Sequence, residues 1–194
     1  MENKKINKQS GFNLMELLFA LVVIGGMIVG IVAMYNKNQS TSNAKTVAQD
    51  IQTISSGIKT LYASSTNGFD TLTTKVVIDS GVAPKTVIAK GSNIVNKYNG
   101  NIIITTPTAT GDGYVPSFGI TEEKLPPEVI AKAVGQLGTE GILSIQVGSK
   151  CVFSTGTTGS EENSACTQAT TYNAADLATG AAETDASLSV AFSQ

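Results

Sequence analysis

The stretch LLFALVVIGGMIVGIVAMY, residues 17–35, decides the architecture of this chain. Its 19 residues contain no charge, no amide side chain and no hydroxyl other than the phenol of Tyr35. As a helix the stretch would cover roughly 28 Å, close to the ~30 Å hydrocarbon core of a bilayer. It therefore predicts a membrane-spanning helix. The alternative is a secretory signal peptide cut after Ala33, although the apolar part of such peptides is usually about 7–15 residues long.

The residues that flank this stretch predict its direction across the membrane. Lys4, Lys5 and Lys8 precede it, and only Lys37 follows it closely. By the positive-inside rule, the N-terminus stays in the cytoplasm and the remainder of the chain lies outside it.

Glu16 stands directly before the apolar run, where a carboxylate is unusual. An ionisable residue in a membrane segment costs insertion free energy, is usually paired, and by default indicates a function. The run itself contains no Lys or Arg that could pair with it. A cationic partner for Glu16 must therefore come from elsewhere.

The residues around Glu16 read GFNLME, positions 11–16, after a short Lys-rich leader and before the long apolar helix. In this combination they resemble the signature of type IV prepilins. The resemblance implies that a membrane-embedded prepilin peptidase cleaves between Gly11 and Phe12, and that the new amine of Phe12 is N-methylated. It also implies that Glu16 pairs with the terminal amine of a neighbouring subunit during assembly. A chance Gly-Phe pair beside a membrane anchor is the alternative.

A second helical pattern follows the span without a break. Apolar residues recur at steps of four and three with polar residues between them, the spacing of one helix face. These residues are Val47, Ile51, Ile54, Ile58 and Leu61. No Pro interrupts residues 12–66, so one helix is expected through both patterns. The resemblance to type IV pilins then implies an α+β fold, in which the second half of a long helix packs against an antiparallel β-sheet head.

The expected division of the chain has four parts. These are a leader peptide at 1–11, a transmembrane and filament-core half of the helix at 12–35, an amphipathic half at 36–66 and a globular α+β head at 67–194. Within the head, β-branched and alternating residues predict strands, and Pro126-Pro127-Glu128 predicts a helix that ends at Gly138. The predicted strands are 101–106, 114–121, 142–147, 152–153 and 188–193. Pro116 argues for an edge position or a bulge in the second of them, and the last is expected to be amphipathic.

This order of elements is similar to that of type IVb pilins. The leader of 11 residues and the Phe at the start of the mature chain are closer to type IVa pilins. Both subtypes therefore remain open, with type IVb the more similar.

Cys151 and Cys166 are the only two cysteines, and both lie in the part expected outside the cytoplasm. A disulfide between them is the natural interpretation. The resemblance implies that the enclosed region 151–166 is a surface loop. The polar segments 154–164 and 169–186 are expected to be solvated loops.

The composition argues against catalysis and against nucleic acid binding. The chain has no His, so it lacks the usual general base and zinc ligand, and no Arg, so it lacks the bidentate group that reads guanine. Without the leader, 10 lysines face 14 acids, a side-chain charge of −4. No catalytic residue, cofactor or metal is expected, and no direct contact with nucleic acid.

The resemblance implies a structural subunit of a type IV pilus, held in the bacterial inner membrane with its N-terminus in the cytoplasm and then assembled into an extracellular filament. Its implied partners are prepilin peptidase, the inner membrane, the pilus assembly machinery, other copies of itself and a receptor on host or bacterial cells. The implied roles are adhesion, aggregation or conjugation. Two alternatives are a pseudopilin of a type II secretion machine and a single-span membrane-anchored sensor or enzyme.

Overall fold

The structure is a computed structural model. It describes residues 14–107, 113–155, 166 and 171–193. At residues 88–90 it describes the backbone alone. The chain divides into two compact units, Met1–Gln39 and Ser40–Gln194. The second is called the head unit below. In the first unit, every described residue is helical.

A single helix, α1 (Leu14–Leu61), carries both helical patterns of the sequence. In the head unit its buried apolar face is formed by Ala44, Val47, Ala48, Ile51, Ile54 and Ile58. The prediction that Leu61 lies on this buried face is wrong, because Leu61 is 45% exposed. The helix ends at Leu61, and the turn that follows brings Tyr62 into the core in its place.

Within the described residues, seven strands form one antiparallel sheet. They are β1 (Ile88–Lys90), β2 (Asn93–Val95), β3 (Asn101–Thr105), β4 (Ser117–Glu122), β5 (Ile142–Val147), β6 (Lys150–Ser154) and β7 (Leu188–Ser193). Their order in the sheet is β1-β2-β3-β4-β7-β5-β6. All five predicted strands are present: β5 and β7 have the predicted ends, and β3, β4 and β6 differ from theirs by at most three residues. β5 and β6 form the hairpin expected across Gly148.

Two predictions about strand position are wrong. β4 lies between β3 and β7 inside the sheet, not at its edge, because Pro116 precedes the strand and so removes none of its ladder hydrogen bonds. β7 lies between β4 and β5, and five of its six residues are buried. A central strand that is covered on both faces loses the polar, solvated side that its alternating sequence predicts.

The described residues form three further helices: α2 (Thr74–Asp79), α3 (Pro127–Leu137) and α4 (Ala174–Ala181). The prediction of α3 is confirmed, with Pro127 in its first turn and Gly138 at its end in a left-handed conformation, φ 68°. The prediction of a solvated loop over 169–186 is wrong, since α4 occupies part of it and buries Leu177 and Ala181. The sequence did not predict α2, β1 or β2.

One continuous hydrophobic core joins α1 to the sheet and to the other helices. A row of aromatic rings runs through it, with centroid separations of 5.5 Å from Tyr62 to Phe69, 4.8 Å from Phe69 to Phe118 and 5.4 Å from Phe118 to Phe192. Gly68 makes this row possible, because its backbone approaches the Val115 carbonyl so closely that a Cβ would overlap it. The row ties the end of α1 to two central strands.

Candidate functional site

The first candidate site is the apolar surface of α1 before the head unit. Its most apolar 18-residue window has a mean hydropathy of 2.8, and none of that window is buried within the chain. The large apolar side chains from Leu14 to Tyr35 are all exposed, for example Leu14, Val22 and Met34 at 70% or more. A surface of this kind and length is stable in a membrane or against other apolar helices.

Glu16 lies in the first turn of α1, and its side chain is exposed. In the described part of the chain it has no ion-pair or hydrogen-bond partner. The positive end of the helix dipole favours a carboxylate at this position. Gly11 and Phe12, the predicted processing residues, lie outside the described residues.

A second feature, in the head unit, is a buried acid that the sequence analysis did not identify. Glu122, the last residue of β4, is 1% exposed. Its Oε2 accepts one long hydrogen bond of 3.4 Å from Asn96, and its Oε1 has no hydrogen-bond partner among the described residues. The pKa of Glu122 is raised to about 8, chiefly by burial and in addition by the nearby charge of Asp50, with Asn96 and Lys97 acting in the opposite direction.

Asn96 connects this acid to the turn between β2 and β3. Its Oδ1 accepts hydrogen bonds from the backbone N–H groups of Tyr98 at 3.0 Å and Gly100 at 2.9 Å. Its Nδ2 donates to the Glu123 carbonyl at 2.9 Å as well as to Glu122. All the hydrogen-bonding capacity of the amide is thus used to hold the turn against the end of β4.

Polar contacts also tie the segment before β3 to α1. The hydroxyl of Thr86 donates to the carboxylate of Asp50, and the ammonium of Lys97 donates to Asn43 Oδ1. Burial raises the pKa of Asp50, although the Thr86 hydrogen bond and the Lys97 charge oppose that rise. Burial in turn lowers the pKa of Lys97. The turn after β2 therefore carries an ammonium that faces two buried carboxyl groups, one on α1 and one on β4.

The third candidate is the cysteine pair. A disulfide joins Cys151, in β6, to Cys166, with 5.1 Å between their Cα atoms. Most of the segment they enclose lies outside the described residues, including positions 156–164 of the loop predicted at 154–164. Ser154 itself ends β6 and is buried, so the loop does not begin there. Beside it, Glu183 accepts hydrogen bonds from the backbone N–H and the hydroxyl of Ser149, and these bonds lower the pKa of Glu183. The β5–β6 hairpin is thus held to the segment after α4.

Comparison with known protein families decides the identity. A family model described as PilS N terminal matches residues 41–179, nearly three quarters of the chain. The chain belongs to the PilS family of type IV pilins.

The solved structures support the same fold for this pilin. A type IVb pilin from Salmonella typhi matches with a TM-score of 0.50 and 16% sequence identity, over 77% of this chain and 97% of that chain. No curated protein sequence matches this chain. The pilin is similar to type IVb pilins, and its long apolar helix with an antiparallel sheet is the pilin fold.

Family and fold establish a pilus subunit. Pilins are structural proteins that assemble into filaments, and they form extracellular pili. The apolar N-terminal helix of this pilin fits a membrane anchor. Within the described residues, no three or more His, Cys, Asp or Glu side chains are grouped so that they could hold a metal ion.

One signal in the sequence could have identified Glu122. Phe118, Ile120 and Glu122 alternate along β4 and so point to one face, which is the core face. A strand that places two large apolar residues on a face also buries the acid that follows them. The contacts of Lys97 and Asp50 left no such signal, because they join segments that are far apart in the chain.

Proposed function

We propose that this pilin is made as a precursor, processed by prepilin peptidase between Gly11 and Phe12, N-methylated at Phe12, and assembled from the bacterial inner membrane into a surface filament. The exposed apolar helix carries this proposal, because none of the described residues of its unit, 14–39, covers it. Residues 1–11 then form the leader and 12–35 the span that later packs in the filament core. Residues 36–66 form the amphipathic half of the helix, and 67–194 the globular part.

Glu16 has the central role in assembly. An acid that approaches an apolar environment without a cation is costly, and the new amine of Phe12 in an adjacent copy supplies that cation. An ion pair of this kind adds little net stability, but a misplaced subunit leaves a buried charge unpaired, which is strongly unfavourable. The pair therefore aligns each incoming subunit, while the apolar helices provide the cohesion.

The inner-membrane assembly machinery extracts the pilin from the bilayer, with the N-terminus cytoplasmic until processing. The assembled filament serves adhesion, aggregation or conjugation. The disulfide between Cys151 and Cys166 staples the region 151–166, which contributes to contacts between subunits or with a receptor on host or bacterial cells.

Mass spectrometry of the pilin from its native host tests the processing step. The expected mature chain begins at an N-methylated Phe12. A functional chain that keeps its leader, or one that is cut after Ala33, would refute the proposal. Electron microscopy of sheared surface material, with antibody to the head unit, separates a surface filament from a pseudopilin or a monomeric sensor.

The role of Glu16 is tested by Glu16→Val, with the adjacent Met15→Val as the matched control. Both introduce the same side chain on the exposed surface of one helix turn. Processing should be nearly normal in both variants, whereas filaments should be lost only with Glu16→Val. Normal filaments from Glu16→Val would remove the proposed role, and equal loss in both would assign the effect to helix packing.

A further inference from the structure

Two lysines that are distant in sequence reach the same part of α1 in the head unit. Lys132, in α3, donates a hydrogen bond to the hydroxyl of Ser40. Lys97, in the turn between β2 and β3, donates to Asn43 one helical turn further on. Folding thus brings two ammonium groups to the first turns of α1 within this unit.

A third lysine, Lys45, is exposed on α1 itself, two residues after Asn43. At 100° per residue it projects from the opposite side of the helix to Ser40 and Asn43. Lys45, Lys97 and Lys132 are called the basic collar here. They come from three separate parts of the head unit and meet α1 between residues 40 and 45, about 7.5 Å of helix rise.

The acids near the basic collar do not cancel its charge. On α1 the first acid after Glu16 is Asp50, which is buried, as is Glu122. Neither of these buried carboxyl groups is presented at the surface beside the lysines. On α3 the exposed Glu128 lies one turn before Lys132. Glu123 is partly exposed, and its carbonyl is hydrogen-bonded to Asn96, the residue before Lys97. Among the described residues, three ammonium groups therefore meet one exposed and one partly exposed carboxylate.

The basic collar is also close to the apolar run along the chain. Ser40 follows Tyr35 by five residues, and five residues span at most about 18 Å even when fully extended. The headgroup layer extends about 5–7 Å beyond the hydrocarbon core, and surface charge acts over a Debye length of about 8 Å. The basic collar therefore begins five residues after the membrane-length run, the juxtamembrane position at which lysines attract anionic lipid headgroups.

We propose that the basic collar is an interaction surface for anionic phospholipid headgroups, which it binds while the pilin is anchored in the membrane. Lysines on the outer side of a membrane span are otherwise disfavoured by the positive-inside rule. Two of these three are far from the span in sequence and so escape that constraint until the head unit folds. The inference rests on the membrane-anchored state in the proposed function.

The experiment uses the full chain in vesicles of phosphatidylcholine alone, or of equal parts phosphatidylcholine and phosphatidylglycerol. The chain contains no Trp, so Ala131→Trp places a single fluorophore at an exposed position beside Lys132. A headgroup spin-labelled phosphatidylcholine, present in both membranes, reports its approach to the surface. Quenching should be stronger in the anionic membrane and should decrease as salt is added.

Charge removal then tests the assignment. Each lysine near an anionic surface increases the binding equilibrium constant about fivefold. The triple change Lys45→Gln, Lys97→Gln and Lys132→Gln should therefore reduce the ratio of lipid-bound to unbound head units about a hundredfold. The matched triple change places Gln at Lys59 in the last turn of α1, at Lys75 in α2 and at Lys150 in β6, none of them a member of the basic collar, and should leave the extra quenching intact. A variant with Arg at all three collar positions keeps the positive charges and should also retain the extra quenching. This result would show that the Gln variant loses quenching through loss of charge and not through misfolding.

The outcomes separate the two proposals. If the chain does not float with vesicles after a high-salt wash, the membrane-anchored state itself is wrong. If it floats but quenching is equal in both membranes, the basic collar has no role in lipid binding. If the matched control loses quenching as well, the effect belongs to total charge and the assigned surface is wrong.

Discussion

Replacing Glu122 with Gln is expected to stabilise the head unit at neutral and alkaline pH and to remove most of the pH dependence of its stability there. Glu122 is buried at the end of β4, with one carboxylate oxygen lacking a partner among the described residues. The folded chain therefore holds a proton on this group that the unfolded chain releases. Gln is close to Glu in shape, can still bond to Asn96, and carries no charge at any pH.

The magnitude follows from the two pKa values. Burial raises the pKa of Glu122 from 4.5 to about 8. Between these values the folded state binds more protons than the unfolded state, so the free energy of unfolding decreases as pH rises, by up to about 1.4 kcal/mol per pH unit. From pH 4.5 to pH 7 the free energy of unfolding decreases by about 3 kcal/mol. The raised pKa of Asp50 has the same sign and leaves a smaller residual slope in the variant.

Urea unfolding of the full chain in detergent, followed by near-ultraviolet circular dichroism across this pH window, measures the effect. Glu123→Gln is the matched control, since it makes the same change at the adjacent, partly exposed residue. The wild type and the control should lose stability as pH rises, while Glu122→Gln should lose much less. If Glu122 were instead ionised in the folded state at neutral pH, the two Gln variants would have similar pH profiles of stability. Similar profiles would therefore refute the reasoning.

Three further predictions concern local features of the head unit, each measured as a change in the free energy of unfolding at constant pH. Gly68→Ala should cost at least about 2 kcal/mol, because its Cβ would overlap a backbone carbonyl at a left-handed φ of 67°. Gly81→Ala, at a similar φ but in open space, should cost only about 1–2 kcal/mol, and equal losses would contradict the proposed overlap. Cys151→Ser should cost about 3 kcal/mol by freeing a loop with a sequence separation of 15, an effect that reduction of the wild type should reproduce. Asn173→Ala should cost about 1 kcal/mol, because the Asn side chain caps α4 through the N–H groups of Ala175 and Asp176; an unchanged stability would show that this cap adds nothing.

Local patterns predicted the elements that depend on near neighbours in the chain. The steps of three and four from Val47 to Ile58 predicted the buried face of α1, because side chains at that spacing share one side of a helix. Pro127 and Gly138 predicted the ends of α3 through their own backbone preferences. These inferences require no knowledge of what the element packs against.

Predictions failed where a partner distant in sequence decides the outcome. The Ala-rich and polar segment around α4 resembles a loop, yet Leu177 and Ala181 find a buried surface when α4 packs against α3 and the β5–β6 hairpin. The alternation in β7 predicts one solvent-exposed face. In the folded chain two neighbouring strands flank β7 and five of its six residues are buried, so that face is not exposed. In both cases burial is a property of the assembled layers and not of the segment.

The sequence by itself determined that the chain has an apolar helix of membrane length with Glu16 at its start, followed by an amphipathic continuation and a strand-rich unit. The physical reason is that hydropathy and helical periodicity act between residues a few positions apart. The tertiary structure alone decided that Glu122 is buried against Asn96, and that Lys97 and Lys132 converge on α1 where the head unit begins. Burial and electrostatic contacts depend on distance in space, and only the folded sheet brings residues some 50 to 90 positions apart to within hydrogen-bonding distance.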